Sequence, residues 1–146
     1  MHKFRRMDAL DLSKAPPRKP HAELGGVIFL PRSIDKARAT LPDGERNQYN
    51  VPGFTTRMLE KLGITPDDFI AAVAAANSDD DVLAYVRERT AQAQIDEWNA
   101  FTKVSQPRNG DRTEAQKIFT WLGERPDLTL TLDILEEDDK RHYAAG

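Results

Sequence analysis

The sequence predicts an all-α protein: a compact bundle of five to six short helices behind an extended, proline-rich N-terminal arm. Three observations predict it. Val27, Leu30, Ile34, Ala37 and Leu41 recur at helical spacing within Leu24–Leu41. Helix-start chemistry recurs along the chain, at Thr65-Pro66-Asp67-Asp68, at Ser78-Asp79-Asp80-Asp81 and at Asp111 with Glu114. Only Leu128, Leu130, Leu132 and Ile134 alternate as a strand does, and a lone strand has no partner to pair with.

Residues 1–23 form the arm. Pro16, Pro17 and Pro20 remove backbone donors and favour extended backbone before them, so Lys14–Pro20 is not helix interior. Leu10 and Leu12, two apart, suit an extended segment anchored on the domain. Residues 24–146 form a single helical domain that ends in an acidic segment, 132–146.

Gly25-Gly26 opens the domain and permits positive φ. Pro31 suits the first turn of a helix, so that helix starts between Val27 and Pro31. Leu41-Pro42-Asp43-Gly44 stops it with turn chemistry, and Asn47–Gly53 reads as a loop.

Phe54–Leu62 reads as a short helix with Gly63 just beyond its end, and Pro66–Ala76 as a second with Thr65 as its cap. Asp79–Val104 is the longest helical pattern. Its apolar stripe slips after Thr90, so the helix bends or changes neighbours there. A further helix runs from Asp111 to about Leu122, with Ile118, Phe119 and Leu122 inward and Gly123 as its cap. An extended stretch and a short helical turn near Leu132–Asp139 finish the chain, and Glu136–Asp139 reads as a solvated tail.

Composition narrows the function classes. At 146 residues the chain buries about 70% of its unfolded surface as one domain. Its 21 basic and 24 acidic residues, net −3, argue against a broad nucleic-acid or anionic-membrane surface. With no cysteine there is no thiolate catalysis, thiolate metal site or disulfide, which fits a reducing cytoplasm. Leu24–Pro31, the longest uncharged apolar run near the N-terminus, falls far short of the roughly 20 residues of a membrane span. Aspartates follow the first basic residues where a secretory signal needs an apolar core.

The segments DLSK, PPRKP, LGGVIFLPRSIDKARA, LGITPDDF and DDDVLAYV, with Tyr49 in a loop and Trp98-Asn99, together resemble a known family. It is the bacterial domain-of-unknown-function family 5069. RSIDKARA after Gly-Gly is the most specific part, and Pro31 stands where the family pattern has alanine. The resemblance covers nearly the whole chain. It implies a small bacterial single-domain protein and supplies no activity.

The candidate chemistry lies on the Leu24–Leu41 helix. Asp35 is three residues from both Arg32 and Arg38, and Arg32 and Lys36 are four apart on one face. If that face lines a cleft, one carboxylate cannot neutralise three cations, and the surplus charge would hold a small anion. Arg18 from the arm and Tyr49 from the loop complete the candidate site. The competing reading is a solvated face or an ion-pair network tying the arm to the core.

Neither a cofactor nor a metal site is expected. His2, His21 and His142 have no ligand spacing, and Gly25-Gly26 alone lacks the spacing of a phosphate loop. Three functions follow. The first is a non-enzymatic domain binding a small anion at Arg32–Arg38. The second is a protein-interaction or homo-oligomerisation module. The third is an enzyme using Asp35 and Lys36, although adjacent helical residues point about 100° apart.

Overall fold

The computed structural model describes residues 7–47, 49 and 53–144, so the expected Asn47–Gly53 loop falls largely outside the described residues. Among the described residues the fold is all-α apart from one small hairpin. β1 (Glu23–Leu24) and β2 (Val27–Ile28) pair antiparallel, with Glu23 opposite Ile28 and Leu24 opposite Val27. Gly25 and Gly26, at φ 55° and 80°, make the two-residue turn that only glycine enters cheaply. Among the described residues seven α-helices follow: α1 (Leu30–Arg38), α2 (Phe54–Leu62), α3 (Pro66–Ala75), α4 (Asp79–Arg89), α5 (Gln92–Val104), α6 (Arg112–Ile118) and α7 (Thr131–Ala144).

α1 is the axis of the molecule. It packs on α3 and α4, while α2 packs on α5, and α5 also meets β2 and α7. Leu30, Ile34 and Ala37 are buried in one cluster with Met58, Leu62, Phe69, Val73, Val86 and Trp98. The charged side of α1 is buried too, because Arg32, Ser33, Asp35 and Lys36 are covered by the arm, α2 and α7. A solvated α1 face is thereby excluded.

The arm lies along the bundle through backbone bonds. Leu10 N–H donates to Arg38 O, Leu12 N–H to Glu45 O and Glu45 N–H to Leu10 O. Leu12 and Pro17 are buried against the domain.

The caps read from sequence form. The side chains of Thr65, Ser78 and Asp111 accept from the amides of Asp68, Asp81 and Glu114 respectively. Gly63 ends α2 in the left-handed conformation at φ 74°.

Four expectations need correction. The long pattern Asp79–Val104 is two helices, because Thr90 takes extended backbone and its hydroxyl donates to Leu62 O, while Gln94 Oε1 accepts from Ala91 N–H to start α5. Ile95 and Trp98 are core residues of α5. α6 stops at Ile118, short of Leu122, and Ile118 is exposed, not inward. There the Arg112 guanidinium donates to the carbonyls of Leu122, Arg125 and Leu128 and shapes a 3-10 turn, Leu122–Glu124, instead of a continued helix.

The last correction is the largest. The alternating Leu128–Ile134 segment leads into a full helix, α7, which packs on both sides. Leu132 and Leu135 join the main core, while Ile134 joins Ala115 and Leu122. Of the four alternating residues, Leu128 and Leu130 precede α7, and Leu132 and Ile134 lie within it. Within that helix Asp139 is buried, so Glu136–Asp139 is not a solvated tail. The division of Asp79–Val104 brings the described α-helices to seven, above the expected five to six.

Candidate functional site

The site begins at a strained residue. Phe29 precedes α1 with φ 76°, a left-handed conformation costly for a bulky side chain. Its ring meets Phe54 edge-on, with centroids 5.2 Å apart, and Phe54 in turn meets Trp98 at 5.4 Å. Trp98 is fixed by its Nε1–H donating to Ile28 O at 2.8 Å. Hairpin, α2 and α5 are thus locked together at the floor of a cavity.

Arg32 and Lys36, one turn apart on α1, form one wall. Arg32 Nη1 donates to Asp139 Oδ2 at 2.7 Å and Nη2 to Asp139 Oδ1 at 3.2 Å. Tyr49 Oη–H donates to the same carboxylate at 2.5 Å. Burial and that carboxylate push the Tyr49 phenol well above its usual range, so it stays a donor. The Arg32 guanidinium lies 5.9 Å from the Phe29 ring centre and 5.4 Å from that of Tyr49. Its Nε has no acceptor among the described residues.

Lys36 differs from Arg32 in having no ion-paired carboxylate among the described residues. Its Nζ donates to Thr55 Oγ1 at 3.3 Å, and Thr55 shares a hydrogen bond with Ser33 Oγ at 2.9 Å. Burial, with Arg32 beside it, pushes the Lys36 amine down to about 7.

These residues border a cavity of about 890 Å³. Its apolar surface comes from Phe29, Phe54, Phe101, Val104, Phe119 and Leu135. Arg57 and Arg108 supply positive charge, and Lys36 supplies an amine. None of the three has a carboxylate partner among the described residues. Asp138 is the one carboxylate in the described lining outside the Arg32 pair, and its Oδ1 accepts from Trp121 Nε1–H at 2.8 Å.

The structure divides the six residues singled out from sequence. Arg32, Lys36 and Tyr49 reach the cavity. Arg18, Asp35 and Arg38 gather elsewhere, where the arm crosses α1. The Asp35 carboxylate accepts from Arg18 N–H at 2.8 Å and from the Arg18 guanidinium at 3.0 Å, and Arg18 also reaches Asp79 at 2.7 Å. Those acids hold the Arg18 guanidinium above its usual range. Arg38 Nε–H donates to Asp8 O at 2.7 Å, and its Nη1 lies 4.0 Å from Asp35 Oδ1. That cluster is an ion-pair network tying the arm to the core. Asp35 and Lys36 turn to different partners, so nothing brings them together on a substrate.

Sequence reasoning missed Thr55, Arg57, Phe101, Arg108 and Asp139. A signal existed for Asp139 alone: it follows Leu132 and Leu135 by seven and four residues, on the buried face of α7. Of the histidines, His2 lies outside the described residues. His21 contacts Asp133 at 2.9 Å and Glu136 at 3.1 Å, and His142 contacts Asn47 at 3.0 Å. Among the described residues no group of three histidines or carboxylates is arranged to hold a metal, and no helix is long and apolar enough to cross a membrane.

No curated protein matches the chain. The profile of a family described as Domain of unknown function (DUF5069) matches residues 14–141, which spans the arm's prolines, α1 and nearly all of α7. The chain therefore belongs to the DUF5069 family.

Proposed function

We propose that the cavity binds a small amphipathic anion, a carboxylate or phosphate carried on an apolar or aromatic body. One observation carries this reading: Arg57 and Arg108 line an apolar cavity with no carboxylate partner among the described residues. Cations facing low-dielectric walls attract an anion more strongly than the same cations in water. The volume, about 890 Å³, suits a small molecule. The arginines supply forked donors for carboxylate or phosphate, and the phenylalanines accept its apolar part. Relative to the sequence reading, the site moves from the whole Arg32–Arg38 segment to the Arg32–Lys36 face. A chain without cysteine fits the bacterial cytoplasm, where such metabolites occur.

The test is thermal unfolding of wild type, Arg57→Ala and Arg108→Ala with inorganic phosphate, sugar phosphates and aliphatic and aromatic carboxylates. Both arginines are exposed, so their removal spares the core. A ligand at about 100 times its dissociation constant adds roughly 2.7 kcal/mol, several degrees for a domain of this size. The reading requires a shift in wild type that shrinks in both variants. Absence of any shift, or equal shifts in all three proteins, contradicts it.

A second reading, an interaction or homo-oligomerisation module, draws on Val104 and Ile118. These apolar residues of the cavity lining are 69% and 54% exposed. Sedimentation favours this reading if wild type is a stable dimer that Val104→Ser dissociates.

A further inference from the structure

We infer that Lys36 is a nucleophilic amine that forms an imine with a carbonyl compound entering this cavity, one carrying an anionic group and an apolar body. The inference rests on the anion-binding reading of the same cavity and assigns a covalent step to one of its walls.

The placement of Lys36 sets it apart from the exposed lysines. Lys61, Lys117 and Lys140 each face a glutamate, at 3.5, 2.8 and 3.5 Å. Lys36 is buried, lines a cavity large enough for a substrate, and faces no carboxylate within ion-pair distance among the described residues. The neighbouring guanidinium of Arg32 opposes a second positive charge, and the Phe29 ring, 5.7 Å from Nζ, supplies a dry wall. Thr55 holds one N–H at 3.3 Å, which orients the amine. An amine kept neutral by burial is the activated form for attack on a carbonyl carbon. The downward displacement of its protonation range agrees with that geometry.

The step balances without a further reagent. The Lys36 nitrogen lone pair forms the N–C bond while the carbonyl π pair moves onto oxygen. Nitrogen gives up one proton to solvent and oxygen takes one, yielding a carbinolamine. A second proton from solvent lets that oxygen leave as water; as the C–O bond breaks, the nitrogen lone pair forms the C=N bond, and the proton left on nitrogen returns to solvent to give the imine. One water is released and nothing is oxidised or reduced. Arg57 and Arg108 serve as positioning residues that dock the anionic group.

The probe is phenylpyruvate, with 3-phenylpropionate as the analogue that lacks a carbonyl. The full chain is incubated with phenylpyruvate and cyanoborohydride, then mapped by peptide mass spectrometry. Lys36 is expected to be trapped at least about tenfold faster than any other lysine. Excess 3-phenylpropionate blocks the trapping and Lys36→Arg abolishes it. Arg57→Ala, which keeps Lys36 and the core, slows trapping at Lys36 without slowing it at exposed lysines.

Labelling spread evenly over the lysines overturns the inference, as does trapping at Lys36 that is indifferent to Arg57→Ala. If 3-phenylpropionate stabilises the protein while Lys36 is not trapped, the imine falls and anion binding stands. If neither compound binds and Lys36 is not trapped, both fall.

Discussion

Arg32 and Asp139 lie 107 residues apart in the chain and meet in the interior, with Nη1 2.7 Å from Oδ2. The contact ties the first helix to the last. Tyr49 closes the same carboxylate from a third element, so charge, hydrogen bonding and burial are satisfied together at one end of the cavity. Lys36, one turn further along α1, has no equivalent partner among the described residues, and this asymmetry separates a structural cation from a chemically available one.

The pair should be costly to halve. Asp139→Asn leaves a buried guanidinium without its counter-charge and is expected to lower stability by about 3–5 kcal/mol. The double change Arg32→Met with Asp139→Leu should recover most of that loss, since an apolar pair often replaces a buried ion pair without penalty. Urea midpoints of wild type, single and double variants decide it. A double variant as unstable as Asp139→Asn would mean that the carboxylate works through Tyr49 instead.

Stability should depend on pH through Lys36 with a defined sign. Burial pushes its folded-state value down to about 7, below the 10.5 of a free lysine. At pH below about 7 both states carry the proton and the burial penalty is fully present. Between about 7 and 10.5 the unfolded state binds more protons, so stability rises with pH as the penalty is relieved, by about 1.4 kcal/mol per unit of displacement. Lys36→Met removes the penalty at every pH. Its advantage over wild type in urea unfolding should be largest near pH 6 and shrink towards pH 10. An advantage that does not change across that range would place the folded-state amine near its ordinary value.

Arg18 should hold the arm on the domain. Arg18→Ala takes the guanidinium and its bonds from Asp35 and Asp79, while the Arg18 backbone N–H can still donate to Asp35. A loss of about 1.5–3 kcal/mol is expected for hydrogen bonds to a charged group. Limited proteolysis should then cut within 14–20 sooner than in wild type. Unchanged cleavage would mean that Leu12 and the backbone bonds to Glu45 hold the arm by themselves.

Asn99 clasps the hairpin. Its Oδ1 accepts from Ile28 N–H at 3.1 Å and its Nδ2 donates to Gly26 O at 2.6 Å. Asn99→Ala is expected to cost about 1–3 kcal/mol and to speed hydrogen exchange at the Ile28 amide selectively. Because Phe29 follows directly, loosening the hairpin should also weaken ligand binding at the cavity floor. Exchange at Ile28 that matches wild type would assign the hairpin's order to Trp98 alone.

How far the sequence exposed all this depended on whether the decisive contact was local. α1 was legible because its apolar stripe recurs within a few turns, and the caps at Thr65, Ser78 and Asp111 because each bonds an amide three residues on. The burial of α1's charged side was not, since its covers come from Arg18, Thr55 and Asp139, remote in the chain. The expected turn near Leu132–Asp139 is shorter than α7, because beyond Leu135 no apolar stripe marks its charged second half. Arg32, Lys36 and Tyr49 were found from charge density around one helix. Arg57 and Arg108 sit on elements whose sequences carry no pattern pointing to a cavity.

The most direct test is a calorimetric titration of wild type with 3-phenylpropionate near pH 7, repeated in Arg57→Ala and Arg108→Ala and in two buffers of different ionisation enthalpy. One-to-one binding is expected, weakened at least about tenfold by each substitution, as for loss of a charge-assisted contact. Net proton uptake should accompany it, because an anion beside the Lys36 amine, which burial holds below its usual range, favours the protonated form. Equal affinity in all three proteins, with no proton taken up, would contradict an anion site formed by Lys36, Arg57 and Arg108.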